Sequence, residues 1–120
     1  MGQIKSFQDL EVWQRAHKLV LAVYRMTKVF PAEEKYGLVS QMRRAAVSVP
    51  ANIAEGFKRR SKSDKIRFYN MSETSLEELK YYFILSKDLA YFDDSEQAIA
   101  ETEIVSRMLY RLIASINKKT

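Results

Sequence analysis

Leu38-Val39-Ser40-Gln41-Met42-Arg43-Arg44-Ala45-Ala46-Val47-Ser48-Val49-Pro50-Ala51-Asn52-Ile53-Ala54-Glu55-Gly56-Phe57-Lys58-Arg59 is the stretch whose reading decides the fold. Leu38, Met42, Ala45, Val49, Ile53 and Phe57 recur at spacings of three and four, the period of an α-helix. A second stripe at the same period is polar: Gln41, Arg44, Ser48, Asn52, Glu55 and Arg59. Ala46, Val47, Ala51 and Ala54 lie between the two. A helix this rich in small residues and apolar around most of its circumference needs neighbours on more than one side. Pro50 removes a backbone bond to Ala46, which predicts a kink or a restart, and Gly56 is where the helix weakens or ends.

Working outward, three more amphipathic segments flank it. The first runs from about 10 to 30. Leu10, Trp13, Ala16, Val20, Val23 and Phe30 are apolar at helical spacing, opposite Glu11, Gln14, Arg15, Lys18, Arg25 and Lys28. Ser6 and Asp9 suit a capping pair before it, and Pro31 closes it. A third helix is predicted over about 62–91, opened by the capping signature Ser61-Lys62-Ser63-Asp64. The fourth, about 94–118, follows the acidic run Asp93-Asp94-Ser95-Glu96. It turns Val105, Met108, Leu109, Leu112, Ile113 and Ile116 inward. Glu103, Arg107 and Arg111 are spaced to pair outward, with Lys118 and Lys119 at the close. Four helices with short connections predict an all-α, up-down-up-down four-helix bundle in one domain.

Composition narrows the chemistry. The chain has 120 residues, no Cys and one His, which excludes disulfides, thiolate metal sites and paired-histidine motifs. Three Gly and two Pro are too few for a chain of many tight β-turns. No apolar leader opens the sequence, although Gly2 and Ser6 fit a short N-myristoylation pattern. The longest uncharged stretch, Ala45 to Ala54, is ten residues, too short to span a bilayer. A cytoplasmic protein without membrane contact is expected.

The formal charge of +5 is local. Residues 43–67 hold Arg43, Arg44, Lys58, Arg59, Arg60, Lys62, Lys65 and Arg67 against Glu55 and Asp64, a net +6, whereas the other 95 residues sum to −1. The run suits either a solvated turn or a polyanion footprint. The position favours the footprint. Cations at a helix N-terminus do nothing for the helix dipole, but they reinforce its attraction for a phosphate.

Catalytic signals are weak. His17 lacks a partner motif. Ser48, Ser72, Ser75 and Ser86 lack a nucleophile elbow, and no glycine-rich phosphate loop is present. Glu73, Glu77 and Glu78 suit surface ion pairs better than acid–base work. No metal, cofactor or enzymatic activity is expected. Arg44, Ser48, Asn52 and Glu55 suit either polar contacts inside one bundle or an interface between subunits. Phe57, Phe68 and Tyr69 flank the basic cluster and suit either core packing or base stacking.

Three motifs carry a family resemblance across nearly the whole chain. They are Asp9-Leu10-Glu11-Val12-Trp13-Gln14-Arg15-Ala16, the connector from Phe30-Pro31 to Tyr36-Gly37-Leu38, and the long run Gln41 to Gly56. Together they resemble the four-helix-bundle family encoded in intervening sequences of bacterial large-subunit ribosomal RNA genes. The fourth helix matches by pattern only. The resemblance implies a ring-like homopentamer. It also implies kinship with the accessory variability proteins of diversity-generating retroelements, basic pentamers that bind nucleic acid and a reverse transcriptase.

Two functions are therefore expected as alternatives. One is a non-enzymatic, homo-oligomeric basic bundle that binds RNA or DNA through phosphates. Arg59, Arg60, Lys62, Lys65 and Arg67 lead the contacts, Lys58 and Arg43 come next, and Arg44, Ser48, Asn52 and Glu55 lie at the oligomer interface. The other is a scaffold or accessory subunit for another protein, such as a reverse transcriptase. A nuclease is the remote third case.

Overall fold

Glu11–Thr27 (α1), Leu38–Lys58 (α2), Lys62–Asp88 (α3) and Ser95–Lys118 (α4) make up the computed structural model, which describes residues 2–118. Short 3-10 turns at Phe7–Asp9 and Ala32–Glu34 precede α1 and α2, and no strand occurs among the described residues. α1 packs on α2, α2 on α3 and α3 on α4, while α4 closes back on α1 along the sparsest contact. This is the expected up-down-up-down four-helix bundle, a rod of 49 × 25 × 24 Å.

The apolar stripe of α2 is the centre of the core. Met42, Val49 and Ile53 are fully buried with Val23 of α1, Leu79 and Phe83 of α3, and Val105 and Leu109 of α4. α2 runs through Pro50 without a restart. At the turn where proline lacks its amide, the buried Ser72 hydroxyl donates to Val49 O at 2.8 Å and ties α3 to it. Gly56 does not end the helix. It lies against the Tyr69 ring, where a Cβ would meet Cε1 at 2.6 Å.

Two helix ends differ from the periodicity. α1 stops at Thr27, short of Pro31. The Thr27 hydroxyl donates to Val23 O at 2.8 Å, and the chain then turns so that Phe30 enters the core against Tyr91. α3 stops at Asp88, three residues before Tyr91. Ala90 takes a left-handed φ of 64°, the amide of Ala90 bonds to Lys87 O, and that of Tyr91 bonds to Ser86 O. This is the two-bond closure usually built on glycine, so the sequence carries no glycine to announce it.

The Ser6–Asp9 capping box forms, but on the 3-10 turn ahead of α1. Backbone amides of Lys5 and Ser6 donate to the Asp9 carboxylate and hold its pKa below the usual value. At the other end, Glu34 does two tasks. One oxygen accepts from the Leu38 amide at 3.1 Å, capping α2, and the other accepts from the Tyr91 hydroxyl at 3.0 Å. The outer face of α4 does not pair within itself as its spacing suggested. Glu103 meets Lys80 of α3 at 3.3 Å, since the neighbouring helix offers a closer cation. Lys119 lies outside the described residues.

Candidate nucleic-acid interface

α2 ends at Lys58 and α3 begins at Lys62, so Arg59, Arg60 and Ser61 make the whole turn. Ser61 caps α3 by accepting from the Asp64 amide at 3.1 Å. Lys65 closes α2 from the other side. Its ammonium donates to Phe57 O at 2.8 Å, a carbonyl in the last turn of the helix, and to Gly56 O at 3.2 Å, which also accepts the Arg59 amide at 3.3 Å. Partial desolvation there pushes the Lys65 pKa down. Of the expected phosphate contacts, Lys65 is thus the one engaged in building the turn.

The remaining cations divide into two kinds. Arg59 pairs with Glu55 at 2.9 Å, and Arg67 with Asp64 at 3.7 Å. Both guanidinium groups also sit 4.6 Å from the centre of the Phe68 ring. Exposed pairs of this kind are worth less than about 1 kcal/mol, so a phosphate can replace the carboxylate while the ring still positions the guanidinium. Lys58, Arg60 and Lys62 are exposed and make no hydrogen bond or ion pair with any described residue.

Arg43 is not part of this cluster. It points to α1, donating to Thr27 Oγ1 at 3.0 Å and standing 4.5 Å over the Tyr24 ring. It lies 15 residues before Lys58, roughly 22 Å away along the helix. Sequence reasoning missed α4 at this end. Lys80 to Glu103 and Ser106 to Glu73 fix the antiparallel register of α3 and α4. That register brings Arg111 and Lys118 level with the first turns of α3. The signal was present, because no acid occurs from Ser106 to Lys118.

The polar stripe of α2 also splits. Asn52 donates to Ser48 O and Oγ, and Ser75 of α3 donates to Ser48 Oγ at 2.8 Å. Glu55 is held by Arg59, whereas Arg44 is exposed without a partner among the described residues. Tyr69 is 2% exposed under Gly56, while Phe57 and Phe68 are half-buried beneath Lys65 and the two arginines. His17 is exposed and stacked on Trp13 at 5.1 Å. Glu77 meets Lys80, and Glu78 accepts from the Tyr82 hydroxyl. No group of three or more metal-ligating side chains, and no helix long and apolar enough to cross a membrane, occurs among the described residues.

This fold matches a crystal structure of a protein of unknown function from the S23 ribosomal protein family of Bacteroides thetaiotaomicron. The TM-score is 0.78 at 19% identity, covering 85% of this chain and 97% of the other. At that identity the likeness is one of fold. No curated protein matches the chain. The family model described as 23S rRNA-intervening sequence protein matches residues 8–111, which span α1 to α3 and most of α4. The chain belongs to the 23S rRNA-intervening sequence protein family.

Proposed function

We propose that this protein is a non-enzymatic, self-associating helical bundle that binds RNA or DNA through phosphate contacts at the α2–α3 turn. The single observation that carries the reading is the set Lys58, Arg60 and Lys62, exposed and unpaired among the described residues beside two arginines braced on Phe68. Cations with no intramolecular partner keep their full attraction for a polyanion. Contacts of this kind position a phosphate backbone and do not read bases, so binding is weakly sequence-dependent.

Self-association, as a homopentamer in the reading from family resemblance, uses the outer face of α2. That face exposes Arg44, Val47, Ala51 and Glu55 at helical spacing, with Val47 42% exposed. Repetition of the basic turn around a ring of +5 chains brings the total to roughly +25 and multiplies the phosphate contacts.

The test is a salt titration of affinity for RNA and DNA. Log affinity falls linearly with log salt, with a slope of about −0.7 to −0.9 per phosphate contacted. Charge reversal at Lys58, Arg60 and Lys62 removes most of the binding. A flat salt dependence, or no binding at low salt, refutes the reading. The second reading, a scaffold for a protein such as a reverse transcriptase, draws on the same exposed apolar positions of α2. Partner capture that survives the charge reversal favours it.

A further inference from the structure

Proteins that hold unpaired strands do so on exposed rings, where successive bases stack. The basic end offers little of this: Trp13, half-buried at the start of α1, already has His17 stacked on it at 5.1 Å and Phe7 packed edgewise at 5.1 Å. The Phe68 ring has two guanidinium groups 4.6 Å from its centre, and the Phe57 ring has the Lys65 ammonium at 5.6 Å. Tyr69 is buried. Tyr110, 71% exposed on α4, is a single ring, and Tyr24, Tyr36 and Tyr81 lie in the other half of the rod. What this end presents instead is fixed cations. The aromatic ring braces two of them, so they lose little freedom on meeting a phosphate.

Charge is also sorted along α3 and α4. Residues 76–105, in the far half of α3 and α4, hold eight acids against Lys80 and Lys87, a net −6. The near half of α4 has Arg107, Arg111 and Lys118 and no acid. A polyanion is therefore drawn to one end and repelled from the other half of the same face.

We propose that the basic end takes the phosphate backbone of a double helix in preference to an unpaired strand, along a surface that α4 extends with Arg111 and Lys118. This rests on the nucleic-acid reading above. A duplex is stiff and carries one charge per about 1.7 Å of axis, so contact with fixed cations releases more counterions per phosphate than a flexible strand does. A strand recovers that deficit only by stacking, and Tyr110 is the single largely exposed phenol ring described at this end.

The experiment measures binding of the full-length protein to three probes of equal length: duplex RNA, duplex DNA and an unstructured single strand. At low salt a duplex binds at least about tenfold tighter than the strand, reflecting the difference in charge density. Whichever duplex binds tighter identifies the source of the phosphates. The double variant R111Q/K118Q, matched to the parent by thermal melt, loses about two units of the duplex salt slope. Tyr110→Ala leaves duplex affinity unchanged. A strand that binds as tightly as both duplexes overturns the preference, as does loss of binding in Tyr110→Ala. An unchanged slope in the double variant overturns the α4 extension. Binding to none of the three probes refutes the nucleic-acid reading itself.

Discussion

Gly56 and Ala90 occupy each other's expected places. A glycine inside a helix weakens it by about 1 kcal/mol relative to alanine, so Gly56→Ala would raise stability if only the helix mattered. The new Cβ would instead stand 2.6 Å from the Tyr69 ring. Tyr69 is fully buried and its ring cannot bend aside, so overpacking outweighs the propensity gain. Gly56→Ala is expected to destabilise the fold by about 1–2 kcal/mol in chemical denaturation. A variant as stable as the parent would mean that Tyr69 can repack. Ala90 holds a φ of 64° that costs alanine about 1 kcal/mol. Ala90→Gly relieves that strain, partly offset by the freer unfolded chain, and raises stability by about 0.5 kcal/mol. A lower melting temperature would contradict the left-handed closure.

At the scale of elements, the connectors carry the information that periodicity lacks. Glu34 caps α2 and holds Tyr91 beyond the end of α3, so one carboxylate fastens two connectors at the end opposite the basic turn. The hydrogen bond to Glu34 is the main cause that raises the Tyr91 pKa above its usual value near 10, followed by desolvation and the repulsion of Glu34 and Glu33. A raised pKa in the folded state means that the tie contributes below pH 10 and is lost as pH climbs through the shifted value. In an NMR titration Tyr91 is expected to ionise above 10, and Glu34→Gln to bring the midpoint back down. Equal midpoints in parent and variant would show that the carboxylate does not hold the phenol. The four helices and the Ser61 cap were legible because each has a local signature. The ends of α1 and α3 were not, because Phe30 and Tyr91 leave their helices to pack on each other.

For the whole molecule, surface area bears on assembly. The chain exposes 7751 Å², against roughly 6,700 Å² expected for a compact monomer of 14.0 kDa. The surplus follows from the elongated 49 × 25 × 24 Å shape, and the exposed outer face of α2 on which the proposed self-association draws is part of that surface. Light scattering at micromolar concentration is expected to give a mass of several chains. A 14 kDa species would remove self-association from the proposed function and leave the basic end as a monomeric site.

The sequence by itself determined the helical class, the number of helices and the concentration of positive charge, because period and composition act through near neighbours. Tertiary structure decided which of those charges face solvent together. Lys65 turns back to cap α2, Arg43 lies against α1, and Arg111 and Lys118 return to the basic end from more than 40 positions away along the chain. The physical reason is that a side chain's partners depend on antiparallel register and unmet backbone groups. Both are fixed only when the four helices pack.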